Sequence, residues 1–455
     1  MIPLFKRTRY YYWLIGGFIR KYAKIMVIVF VIAFFALFFS RTIIDSFTQI
    51  FSINKKSVGI LKQANNEQIP LEILQMISIP IVTYDTQGRL KPGLAKKWKV
   101  NDNGREYTFY FPKDLVWEDG SLFMVTDIDE ELIKFPNIKT EIINDYTLKF
   151  TLPSSLANFP ALLTTPVLKQ NLTGINGQYK ISRVKYDHGE MERVTLLPME
   201  SGLSQLTYKM YNTQDDLKLA YQLGEIDKLV TNDQKTASFF KKWRNSNVEG
   251  TTDYNRIITI FVNTRKNPFD NKNLRGAIAF GIDYDQLAKF GERAFSPVLP
   301  FSWAYNSEVK EYNYEPEISA NVIEQSQLSK KPVTLITSYE LEGIAETISK
   351  SLNKVGFPLE IRYLNYLPTD YELFMTIWEP PIDPDQYVFW HQTQNQLNYS
   401  RLKNVKIDKL LEDGRQEISP TKRKQIYQKW QEVMAEELPA IFLFFPKKYT
   451  ISRKI

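Results

Sequence analysis

Two histidines and no cysteine bound the covalent and metal chemistry open to this chain. His188 falls in a turn between Asp187 and Gly189, and His391 follows an aromatic run far away; neither belongs to an HxxxH or carboxylate ligand spacing. Both read as non-catalytic. The absence of cysteine removes disulfides, thiolate metal sites, a sulfur nucleophile and a lipid-bearing cysteine. The acidic runs 127–131 and 340–346 read as solvated helix faces, and no glycine-rich loop is present to cradle a phosphate. The expectation is a protein that is not an enzyme, with no cofactor and no metal. Recognition chemistry remains. Glu379 supplies a carboxylate, Thr337 and Ser338 supply hydroxyls, and Trp378, Trp390 and Tyr399 supply rings for stacking, with core packing competing for each ring.

The elements around these residues are legible from periodicity. Residues 333–337 form a β-branched strand, and Leu341, Ile344, Ala345, Ile348, Leu352 and Val355 then recur on one helical face that Gly356 stops. Residues 359–363 and 371–378 read as further strands. A right-handed crossover makes a parallel pair, and ligands of such sheets bind beyond the strand carboxyl ends. That rule selects Thr337, Ser338, Trp378 and Glu379. Elsewhere, a turn at 101–104 precedes alternating Tyr107, Phe109 and Phe111; 143–152 reads as one strand; and 178–185 with 191–197 forms a hairpin around the 187–190 turn. Helix 217–223 stops at Gly224, 257–263 is a buried strand, and Ser419 with Pro420 opens a helix whose inner face carries Ile426, Trp430, Val433, Met434 and Leu438.

Charge argues against nucleic acid. Of the net +7, six charges belong to Lys6, Arg7, Arg9, Arg20, Lys21 and Lys24, and no acid precedes residue 25. The other 431 residues carry +1, with no basic stripe. An unbroken apolar block fills 25–39 between Lys24 and Arg41, and its fifteen residues rise roughly 22 Å as a helix. Snorkelling of both cations and one further turn would match a hydrocarbon core of ~30 Å. No small-x-small cleavage pattern follows it. The expected organisation is a cytoplasmic leader 1–24, a transmembrane anchor 25–44 in the lipid bilayer, a linker 45–56, and all later residues outside the cell.

Three separated blocks resemble the extracellular solute-binding proteins, family 5, which serve oligopeptide, dipeptide and nickel ABC importers. Pro92, Leu94, Ala95 and Trp98 stand at the places of that family's "P-x-L-A-x-x-W". Asn267-Pro268-Phe269-Asp270 with the helix through Arg275 to Asp283 is similar to its "P-F-D-D-x-x-V-R-x-A-I" passage, with Arg275 structural. Trp378-Glu379-Pro380-Pro381-Ile382-Asp383-Pro384 and Asn398 to Leu402 resemble "W-x-A-D-Y-x-D-P" and its sequel. The resemblance implies an α/β, two-lobed, periplasmic-binding-protein-like fold of type II, with lobe I at 57–254, joined again by 441–455, and lobe II at 255–440. After Val125-Thr126-Asp127-Ile128, which resembles a helix start, the family's long helical excursion is missing, so lobe I reads as shortened. The resemblance further implies a cleft holding a short peptide or related solute and a partner ABC permease. Where peptide-binding members place an aspartate for the peptide amine, this chain has Pro380, with Glu379 beside it. A scaffold that keeps the fold with a degenerate pocket is the alternative; nickel or haem carriage is a third, weakened by scarce histidine.

Overall fold

The computed structural model describes residues 12–13, 16–25, 54–62, 69–326, 328, 332–364 and 366–454. The chain separates into two units, residues 1–55 with 201–205 and all the rest. In the first, residues 16–25 are helical, and the Phe18 and Tyr22 rings meet at 4.8 Å, one turn apart. The anchor expected at 25–44 lies outside the described residues apart from Ile25. Among the described residues no helix is long and apolar enough to cross a membrane.

The second unit is built on a twelve-stranded mixed sheet. Its central strand Ile257–Val262, IITIFV, is buried at all six positions, as a strand covered on both faces must be. It pairs antiparallel with Leu373–Trp378 on one side and Ala440–Arg453 on the other. Val333–Thr337 runs parallel to both Leu359–Tyr363 and Leu373–Trp378. The crossover helix Glu342–Lys354 buries Ile344, Ala345, Ile348 and Leu352, and Gly356 leaves it at φ 83°, as the periodicity predicts.

One strand ties the sheet together. The fourteen residues of Ala440–Arg453 pair first, through Phe444, with Ile257–Val262. From Lys447 onward they pair with Ser246–Thr252, and from Tyr449 also with Lys228–Thr231. The hairpin Tyr179–Asp187 with Glu190–Pro198 closes through His188 (φ 49°) and Gly189 (φ 84°), the two positive-φ residues that a type I′ turn requires.

A separate four-stranded sheet orders Lys97–Asn101, Glu106–Tyr110, Thr147–Thr151 and Lys139–Asn144. Tyr107 and Phe109 point inward and meet Phe159, and Phe109 lies edge-on to Phe150 at 5.8 Å. Two sequence expectations need correction here. The single strand at 143–152 is the second half of a hairpin: Asn144 ends one strand, its side chain accepts the Tyr146 N–H, and the chain reverses. Residues 125–128 begin no α-helix. Val125–Asp127 is one 3₁₀ turn, locked because the Asp127 carboxylate takes the Trp117 indole N–H (3.1 Å) and the Met124 N–H (3.0 Å), after which Ile128 is extended.

Candidate functional site at the strand carboxyl ends

Parallel pairing places the ends of Val333–Thr337 and Leu373–Trp378 at the same edge of the main sheet, but with Ile336 level with Phe374 the longer strand carries Trp378 three positions beyond Thr337, so the four residues share an edge without meeting at one point. They divide by burial. Thr337 is 1% exposed and Trp378 4%, whereas the Glu379 side chain is 63% exposed. Ser338 is half-buried and starts the turn Tyr339–Leu341, whose Tyr339 ring reaches solvent and stacks on Tyr363 at 4.7 Å. Among the described residues the Thr337 hydroxyl and the Trp378 indole N–H are buried without a hydrogen-bond partner.

The three candidate stacking rings are engaged in the protein interior. Trp390 is fully buried, donates its indole N–H to Gln386 (2.8 Å) and meets Trp378 edge-on at 5.6 Å. Tyr399 is half-buried and lies edge-on to Phe261 at 5.2 Å and to Phe374 at 5.9 Å. Phe261 touches Trp378, Trp390 and Tyr399 alike. Packing has won the competition for Trp378 and Trp390; Tyr339, stacked on the half-buried Tyr363, directs its ring at solvent at this edge.

Glu379 has a partner that sequence reading missed. The Arg256 Nε lies 2.7 Å from its carboxylate, and Asp253 stands 3.9 Å from the same guanidinium. Arg256 belongs to the turn between Ser246–Thr252 and Ile257–Val262, and nothing local in sequence links that turn to residue 379. The pair is exposed enough that its attraction is worth only ~0–1 kcal/mol. Nearby, loss of surrounding water pushes the Glu340 carboxyl above its ordinary range, with Asp233 adding to the rise and Arg256 opposing it.

The loop after Glu379 is held firmly. Pro380 is buried and, with Pro381, supplies no N–H. Further on, Asp383 accepts two hydrogen bonds from Arg423 (2.7 and 3.0 Å), and Asp385 accepts from Arg415 at 2.9 Å. Burial alone would lower the Arg423 pKa; the Asp383 carboxylate, Tyr427 and Asp385 together outweigh it and hold the guanidinium above its ordinary value. His391 stands apart from this edge, stacked on Tyr387, with Nδ1 2.8 Å from Thr393 Oγ1 and Nε2 3.3 Å from Glu412. His188 is at the exposed hairpin tip. Arg275 is buried and donates to the carbonyls of Phe269, Glu437 and Leu438, a structural task. Among the described residues no cluster of three or more histidines or carboxylates is placed to hold a metal ion. The edge offers a carboxylate, a cation and two rings.

Residues 89–400 match the profile of the bacterial extracellular solute-binding proteins, family 5. The chain is 23% identical over 437 residues to the probable D,D-dipeptide-binding periplasmic protein DdpA of Escherichia coli, covering 82% of this chain and 83% of that one. It is 24% identical over 456 residues to the oligopeptide-binding protein AppA of Bacillus subtilis, covering 83% and 82%. The solved structure of NikZ from Campylobacter jejuni with Ni(L-His) superposes with a TM-score of 0.73 at 19% identity, over 88% of this chain and 94% of that one. That likeness shows the two-lobed fold, while the family match spans more than half of the sequence. The chain therefore belongs to the bacterial extracellular solute-binding proteins of family 5, which are binding proteins and not enzymes.

Proposed function

We propose that this chain is a membrane-anchored receptor that takes short peptides outside the cell and delivers them to an ABC importer. The observation that carries the reading is the exposed Glu379 carboxylate at the carboxyl edge of the parallel strands, held by one weak partner. A peptide amine that replaced or joined Arg256 there would gain a charge-assisted hydrogen bond of roughly 1.5–3 kcal/mol. Relatives named for dipeptides and oligopeptides support the guest class. The apolar block 25–39 supports the anchor, with the basic leader inside. A tether keeps a receptor near its membrane partner at an effective concentration on the order of millimolar.

A scaffold with a lapsed pocket is the second reading. Pro380 at the family's aspartate position and the burial of the Trp378 and Trp390 rings favour it. Calorimetry on the full-length chain separates the two. A tripeptide mixture with free amines should bind with measurable heat, N-acetylated versions should bind about 10- to 100-fold more weakly, and Glu379→Gln should erase that difference. No heat with any peptide would overturn the receptor reading and leave the scaffold.

A further inference from the structure

A recess lies where the body built on the four-stranded sheet meets the aromatic layer of the main sheet. It is a solvent-open groove of about 980 Å3 and shares no lining residue with the Glu379–Arg256 pair. Small-ligand sites span ~300–1,000 Å3, so the size suits a guest rather than a few waters. Phe301, Trp303 and Tyr305, all half-buried, supply aromatic lining. Arg89 and Lys424 supply charge; both are exposed, and neither is ion-paired among the described residues. The one lining carboxylate, Asp383, already gives both oxygens to Arg423. The unspent charge of the groove is therefore positive, beside flat apolar surface.

We propose that this groove binds a small organic anion with a planar apolar body, its ring against Phe301 and Trp303 and its carboxylate or phosphate on Arg89 and Lys424. Lys424 reaches such a headgroup without first giving up a partner, Arg89 shares its charge only with the nearby exposed Asp85 carboxylate, and a ring excludes water from the aromatic lining. The walls come from two bodies that meet through the Trp303 N–H donating to the Gln87 carbonyl at 2.8 Å. An occupant touching both walls stabilises their docked arrangement by linkage.

The test is calorimetry and thermal melting of the full-length chain with phenylacetate, phenyl phosphate and neutral phenylacetamide. The two anions should bind at least tenfold more tightly than the amide and raise the melting temperature, and the tighter of the two identifies the headgroup. Arg89→Gln with Lys424→Gln should weaken the anions at least tenfold and abolish the melting shift, with the melting temperature of the free protein and the heat of peptide binding unchanged. Anions that bind no better than the amide, or a double variant that binds them as the native chain does, would overturn the proposal.

Discussion

Asp383 and Arg423 are forty residues apart in sequence and almost completely buried, yet they form a two-bonded ion pair. Such a pair adds little net stability over apolar groups of the same shape, but half of it is costly to remove, because the survivor stays buried and unmatched. Asp383→Ala should therefore lower unfolding free energy by ~3–5 kcal/mol, and adding Arg423→Met should restore much of the loss. Urea melts of the single and double variants would show it; two losses that merely add would mean the residues act separately. Asp408 makes a second residue-scale case. It is 5% exposed, accepts the Gln392 N–H at 3.0 Å, and faces His391 at 4.0 Å and Glu412. Burial raises its pKa above the ordinary value, the Gln392 bond and His391 pull it down, and Glu412 raises it further. With the folded pKa above the unfolded one, the native state binds more protons between the two values, so stability falls as pH rises through that window. Asp408→Asn keeps an acceptor for Gln392 and removes the charge. It should match the native chain near pH 3.5 and exceed it at pH 7 in denaturant midpoint, and a deficit at pH 7 would refute the assignment.

At the level of single elements, the His188–Gly189 turn shows how much rests on backbone sign. A Cβ added at Gly189 would meet nothing within 4 Å, so any penalty there is conformational alone. Gly189→Ala should cost ~1–2 kcal/mol, the ordinary price of left-handed backbone for an L-residue. A melting temperature unchanged in that variant would argue for a rearranged turn. This turn was legible in sequence because its signal is local: polar and glycine residues between two alternating runs. The crossover helix was legible for the same reason, since one apolar face and a terminal glycine are both short-range marks. Residues 143–152 were misread because Asn144-Asp145 lies inside a run with the alternation of a strand, and only the Asn144 side chain reveals the reversal. The site shows the same division. Strand ends placed Thr337, Ser338, Trp378 and Glu379 at one edge of the sheet, but the register, which leaves Trp378 three positions beyond Thr337, was not legible. The burial of Trp378 and Trp390 and the Arg256 partner of Glu379 depended on contacts between distant segments, which no local pattern records.

In the second unit, the two bodies that wall the groove at Arg89 and Lys424 touch through polar links between distant segments. The Trp303 N–H reaches Gln87, the Ala157 N–H reaches the Arg415 carbonyl at 2.8 Å, and the Ser155 hydroxyl reaches the Gln416 carbonyl at 3.3 Å. Each hydrogen bond is worth a net ~0.5–1.5 kcal/mol, Gly88 and Gly104 also pack closely against Ile382 and Ile418, and a guest with unequal affinity for two arrangements shifts their balance by that difference. A shift from 1:99 to 99:1 takes roughly 5.5 kcal/mol of differential affinity, within reach of a micromolar ligand that contacts both bodies. The cysteine-free sequence makes the motion measurable, because two introduced thiols are the sole labelling sites. Thr86 and Thr421 are exposed and line the groove together, so Thr86→Cys and Thr421→Cys bring spin labels onto the two bodies. Pulsed distance measurement on the full-length double variant should show a broad or longer distribution without peptide and one short distance when peptide is added. One unchanging distance under both conditions would show the bodies to be a single rigid block and would remove closure from the proposed peptide binding.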